Sequence, residues 1–135
     1  MPALNALAAR SYDATSTFAD RVQFVHLYII EPHPKAPEMG PYMGFVSEAA
    51  YSDRGQPLTY ADRVASARDA RALISPKQLQ LVDDLTPGQS VNPVWCTYGT
   101  CPNCAFLIRK DGTIDTVQKW FDASAMEQAM RRLLQ

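Results

Sequence analysis

All three cysteines of the chain, Cys96, Cys101 and Cys104, lie within the nine residues from 96 to 104. The pair Cys101-x-x-Cys104 has the spacing of a redox-active dithiol, which is also the spacing of half a zinc site. Thiolates are soft ligands that bind Zn²⁺, Cu(I) or Hg(II). The cluster therefore predicts one of two chemistries, thiol–disulfide exchange or the binding of a soft metal ion.

These two chemistries make different demands on the cysteines. In an extended chain Cys101 and Cys104 point to opposite faces, so a disulfide between them requires a turn in the two intervening residues. Cys104 directly precedes the apolar segment Ala-Phe-Leu-Ile, and we interpret it as a small buried hydrophobic side chain. A metal ion would instead take Cys96, Cys101 and Cys104 as ligands, with His26 or His33 as a fourth.

A second candidate pair, Glu31 and His33, follows an apolar strand and lies in a proline-rich loop. Ligands of α/β proteins bind at the carboxyl ends of such strands. His33 could relay protons to a substrate, and Glu31 could orient it. The alternative is that both side chains only cap and solvate the loop.

Composition excludes several classes of function. The chain has 135 residues, enough for one domain over residues 1–135. Its net charge of −1 does not indicate the basic surface that nucleic-acid binding requires. No apolar run has the length of about 20 residues that a membrane span requires. The N-terminus lacks the layout of a secretory signal, and three cysteines would leave one unpaired in a disulfide framework. These features predict a cytoplasmic protein without a membrane or nucleic-acid partner.

Hydrophobic periodicity and turn residues predict alternating helices and strands. Thr59 with Asp62 is a near capping box at the start of one of these helices. The predicted elements are a helix over 3–19, a buried strand over 22–30, a short helix over 42–50, a helix over 60–74, a strand over 79–83, a helical turn over 94–98, strands over 105–108 and 113–120 joined by a turn at 110–112, and a final helix capped by Asp122 or Ser124. This order is typical of an α/β layered sheet.

Particular segments resemble a known family. Residues 20–34, which end in Glu-Pro-His-Pro, resemble a strand and loop of the iodothyronine deiodinase-like family, and residues 56–64 are similar to the start of its next helix. Pro102-Asn103 and the segment 105–112 (Ala-Phe-Leu-Ile-Arg-Lys-Asp-Gly) are similar to the proline and hairpin of redoxin domains. The resemblance extends over residues 2–134 and implies a thioredoxin-like three-layer α/β sandwich with a mixed sheet.

The resemblance also implies roles for particular residues. Cys101 would precede a cis-proline, Pro102, and would face the active site as the redox thiol, with Cys96 as a resolving thiol. Glu31 and His33 would support the reaction. The implied partner is a small thiol or a protein reductant, and no cofactor is expected apart from the alternative soft metal ion.

Proteins of this family begin with a strand that is followed by a cysteine or selenocysteine at the start of the first helix. The present sequence begins at Met1 in a segment that resembles the middle of that helix. We therefore expect the first strand and its nucleophile to be missing from the sheet. An incomplete sheet exposes an edge and an apolar face, which predicts a homodimer. A third hypothesis is accordingly a non-catalytic dimeric remnant.

Overall fold

The computed structural model describes residues 2–31, 34, 55–85, 92–98 and 103–135. Within these residues the elements are α1 (Pro2–Ala9), α2 (Phe18–Arg21), β1 (Val25–Tyr28), α3 (Tyr60–Arg71), β2 (Leu79–Val82), α4 (Pro93–Tyr98), β3 (Ala105–Ile108), β4 (Ile114–Gln118) and α5 (Ala123–Leu134). The predicted helix over 42–50 lies outside the described residues. Helices and strands alternate along the sequence, and the protein is a mixed α/β protein.

The chain divides into two compact units. The first unit comprises Met1–Phe24, Leu73–Leu79 and Cys101–Gln135, and the second comprises Val25–Ala72 and Gln80–Thr100. No helix in the described part of the chain is long and apolar enough to cross a membrane.

The core of the first unit forms where α5 packs on α1, α2 and β3. Its most deeply buried apolar residues are Leu7, Ala8, Phe18, Phe24, Leu107, Met126, Ala129 and Met130. The side chain of Asp122 accepts a hydrogen bond from the amide of Ala125 and begins α5, as one of the two predicted caps. Met126 and Ala129 are buried, and the helical periodicity of the sequence carries them to one face of α5.

The predicted continuous helix over 3–19 is wrong, because α1 ends at Ala9 and the chain turns before α2 begins. The Asp13 carboxylate accepts hydrogen bonds from the amides of Thr15 and Ser16, each across 2.8 Å. Short polar side chains of this kind compete with helical hydrogen bonding. The polar run therefore interrupts the apolar periodicity that predicted a single helix.

Strands β3 and β4 form an antiparallel hairpin as predicted, with Ala105 opposite Gln118 and Phe106 opposite Val117. The register shifts between Leu107 and Ile108, where the second strand carries an extra residue. The connecting turn contains Gly112 at φ +86°, a left-handed conformation that glycine adopts without steric cost.

Strands β1 and β2 form a separate two-stranded sheet, and all of their residues except Leu79 belong to the second unit. The amide of Leu79 donates to the carbonyl of Phe24, and four residues further along both strands the amide of Asp83 donates to the carbonyl of Tyr28. The equal offset means that the strands run parallel. Their carboxyl ends therefore lie at the same edge of the sheet.

Helix α3 ends at Arg71 and is therefore shorter than the predicted helix over 60–74. It begins at the predicted cap, where the amide of Asp62 donates to the Thr59 hydroxyl and the Asp62 carboxylate accepts from the amide of Thr59. Ala67 is buried, whereas Leu73 lies beyond the end of the helix and is exposed. The most deeply buried side chain of α3 is that of Arg63.

Candidate functional site

Cys96 lies in helix α4 of the second unit and is an exposed free thiol. Its amide donates to the carbonyl of Asn92 across 2.8 Å, which closes the first turn of the helix. Asn92 followed by Pro93 is a typical helix start, because proline fits the first helical position. The predicted helical turn over 94–98 is confirmed, and it determines where this thiol is displayed.

The start of α4 is held by Asp83, which follows directly after β2. Its two carboxylate oxygens accept hydrogen bonds from the amides of Val94, across 3.1 Å, and Trp95, across 3.2 Å. The side chain is almost fully buried. Its carboxylate therefore satisfies two amides that the helix itself leaves unpaired.

Arg63 joins α3 to the same region. Its guanidinium donates to the carbonyls of Asp83, across 3.2 Å, and Asp84, across 2.8 Å, and to the side-chain oxygen of Asn92. Burial lowers the pKa of the Arg63 guanidinium, and the negative charge of Asp83 opposes that shift. One guanidinium therefore connects the end of β2 to the residue that precedes α4.

Glu31 follows β1 at the corresponding end of the neighbouring strand. Its carboxylate accepts a hydrogen bond from the Tyr28 hydroxyl across 3.2 Å. Its backbone is held on both sides by Gln56, whose amide nitrogen donates to the Glu31 carbonyl and whose oxygen accepts from the Glu31 amide. The side chain is half-buried and fixed in place, whereas the other predicted residue of this pair, His33, lies outside the described residues.

Cys104 lies in the first unit, directly before β3, and it is disulfide-bonded. It is only partly buried, so our interpretation of it as a buried hydrophobic side chain is wrong. The preceding residue, Asn103, accepts a hydrogen bond through its carbonyl from the amide of Phe121 across 2.7 Å. Cys101 and Pro102, the predicted redox thiol and cis-proline, lie outside the described residues.

The predicted residues thus fall into two groups. Glu31 and Cys96 belong to the second unit, and Cys104 belongs to the first. Glu31 follows the carboxyl end of β1. Cys96 lies in α4, whose first amides are bound by Asp83 at the carboxyl end of β2. The described parts of the chain contain no group of three histidine, cysteine or acidic side chains that could hold a metal ion. The proposed three-thiolate site includes Cys101, so it stays a prediction, and it would require Cys104 to be reduced.

Periodicity and motif spacing singled out neither Arg63 nor Asp83. A signal for Arg63 was present, since it lies four residues before the buried Ala67 and therefore shares its helix face. The partners of both side chains come from segments 11 to 29 residues away in the sequence. Periodicity does not reveal such partners.

No family model matches the chain, and neither the curated proteins nor the solved structures contain a match to it.

Proposed function

We propose that the chain is a thioredoxin-like thiol–disulfide oxidoreductase whose reactive group is the disulfide of Cys104. The observation that carries the proposal is that Cys104 is disulfide-bonded while Cys96 is a free thiol. The sequence contains only three cysteines, so we assign Cys101 as the partner of Cys104. Their Cys-x-x-Cys spacing is that of reversible dithiols.

The proposed reaction is a two-electron exchange with a thiol reductant. A thiolate of the reductant attacks one sulfur of the Cys101–Cys104 disulfide, the S–S bond breaks, and a mixed disulfide and one protein thiolate are formed. A second thiol of the reductant then attacks the mixed disulfide. The reductant leaves as a disulfide, and the protein gains two electrons and two protons as a dithiol.

The position of Cys104 supports a reactive rather than a structural disulfide. Cys104 precedes the first paired residue of β3 and is partly exposed, so an incoming thiol can reach it. A loop of two residues between the cysteines also removes little conformational entropy from the unfolded chain, because this stabilisation grows with loop length. Such a disulfide contributes little to folding.

The fold assignment rests on element order alone. The parallel pair β1–β2 precedes an antiparallel hairpin and a terminal helix, which is the order expected for a thioredoxin-like sandwich. The roles expected of Cys96 as a resolving thiol and of Glu31 and His33 as supports stay predictions, and the proposed exchange at the Cys101–Cys104 disulfide does not depend on them.

The test is the reduction potential of the disulfide, measured by thiol counting in glutathione buffers. Native protein should expose one thiol, that of Cys96, and reduced protein three. We expect a potential between about −270 and −180 mV, the range of redox-active dithiols, and a value below about −300 mV would mean a structural disulfide. In Cys104→Ser the disulfide should be lost, whereas in the matched control Cys96→Ser it should keep its potential.

A further inference from the structure

From the first unit we infer that the reductant is a polypeptide that bears its cysteines among apolar side chains. This inference rests on the proposed function, because it names the partner class of the same disulfide. The surface that carries it is the outer hairpin face, which consists of Phe106, Ile108, Ile114 and Val117.

The register of the hairpin brings these four residues to one face. Phe106 lies opposite Val117 and Ile108 lies opposite Ile114, and cross-strand partners share a face. The other face carries Leu107, which is 5% exposed and belongs to the core. One face of the hairpin therefore packs on the core through Leu107, and the opposite face carries four apolar residues.

An antiparallel hairpin with one face on the core commonly carries polar residues on the other. Here Ile108 and Val117 are each 55% exposed and Ile114 is 46% exposed. Three aliphatic side chains thus face solvent next to the partly buried ring of Phe106. A contiguous apolar surface of this kind is typical of an interaction site.

The outer hairpin face begins beside the disulfide. Ala105 pairs with Gln118, and the amide of Phe121 donates to the carbonyl of Asn103, so residues 119–120 run alongside Cys104. Trp120 is 70% exposed at this end of the hairpin. A partner whose sulfur attacks the disulfide would therefore meet an exposed indole and then the apolar face.

The length of the outer hairpin face favours a polypeptide over a small thiol as the reductant. From Cys104 to Ile108 the strand extends by about 13 Å, at about 3.3 Å per residue. A tripeptide thiol whose sulfur sits at the disulfide covers only part of this distance. A longer polypeptide can place a cysteine at Cys104 and apolar side chains on Phe106 and Ile108 together.

Two synthetic peptides of equal length test the inference. Both carry the same reduced Cys-x-x-Cys dithiol, flanked in one by valine and leucine and in the other by serine and glutamine. We expect the apolar peptide to reduce the protein disulfide about tenfold faster at equal concentration, a factor typical of burying one aliphatic side chain. Equal rates for the two peptides would overturn the inference.

Variants locate the effect on the outer hairpin face. Val117→Thr keeps a β-branched residue in the strand, and Trp120→Ser replaces the exposed indole beyond the end of the strand. Each substitution should lower the rate of the apolar peptide towards that of the polar peptide. Leu58→Thr is the matched control, since Leu58 is 84% exposed in the second unit. An equal loss in this control would contradict the assignment.

Two further measurements separate the outcomes. Dithiothreitol should reduce wild type and all variants at the same rate; failure to reduce the wild type would refute the proposed redox function itself, not only the peptide preference. Sedimentation measures the mass in solution. A dimer that Val117→Thr converts to a monomer would assign the outer hairpin face to a second copy of the chain and overturn the peptide inference.

Discussion

The guanidinium of Arg63 donates a hydrogen bond to the main-chain carbonyl of Asp83 across 3.2 Å, and these residues are only 1% and 2% exposed. The carboxylate of Asp83 in turn accepts from the first amides of α4. The hydrogen bonds of these two buried side chains therefore join α3, the end of β2 and α4, the helix that carries Cys96, within the second unit.

Removing the Arg63 guanidinium should lower the stability of the protein. We expect Arg63→Ala to lower the free energy of unfolding by about 3–5 kcal/mol, because it leaves the buried carbonyl of Asp83 and the side-chain oxygen of Asn92 without this donor and removes the charge that faces the Asp83 carboxylate. Arg63→Lys should recover only part of the loss, since an ammonium group lacks the planar fork of donors. Urea unfolding measures both. The exposed Arg68 on the same helix is the control, and Arg68→Ala should change stability by no more than about 0.5 kcal/mol.

Acid should weaken the start of α2 through Asp20. Hydrogen bonds from the hydroxyl and amide of Thr17, and then from Lys77, lower the pKa of Asp20 from 3.8 to about 2. A depressed pKa in the folded state stabilises the protein above pH 3.8, and this contribution is lost as the pH falls through about 2. We expect the thermal midpoint to fall over this window in wild type and to fall less in Asp20→Asn. Identical pH profiles for the two proteins would contradict this role.

Substitution of Gly112 should destabilise the protein because of the backbone conformation at this residue alone. Its φ of +86° is unfavourable for residues with a Cβ, although an added Cβ would meet no atom within 4 Å. Gly112→Ala should therefore cost about 1–2 kcal/mol in chemical denaturation. Gly112→Asn should cost less, since asparagine tolerates the left-handed region better. An alanine variant as stable as wild type would show that the turn changes conformation freely.

Metal uptake should depend on the redox state of the cysteines. A cysteine binds Zn²⁺ as a thiolate and not as a disulfide, so the native protein, with Cys104 in a disulfide, should take up no stoichiometric Zn²⁺ in native mass spectrometry. After reduction, the redox proposal expects dithiol chemistry without a bound ion. One Zn²⁺ per reduced chain, lost in each of Cys96→Ser, Cys101→Ser and Cys104→Ser, would favour the soft-metal hypothesis instead.

The most regular elements were predictable from sequence. Strand β3 and the turn at Gly112 follow from a short apolar segment and Lys-Asp-Gly, and α5 follows from a capping aspartate and apolar residues at helical spacing. Their signals are local, since a residue and its determinants lie within a few positions. The break between α1 and α2 was also encoded locally, in the polar run around Asp13, but the periodicity of the flanking apolar residues concealed it.

The candidate site was less predictable, because its contacts are distant in sequence. The local spacing of Cys101 and Cys104 indicated a reversible dithiol but left open whether Cys104 would be buried or oxidised. Arg63 and Asp83 matter because they are buried. An exposed charge contributes little to stability, whereas a buried charge must be paired.

By itself, the sequence determined the α/β class, the positions of the hairpin and the terminal helix, and the thiol chemistry available to the chain, because these depend on residue type and local spacing. The tertiary structure decided which charges are buried and which apolar face is exposed. It also decided that Cys96 is a free thiol and Cys104 is disulfide-bonded. The physical reason is that burial and pairing are properties of segments brought together in space, and local propensity does not specify those partners.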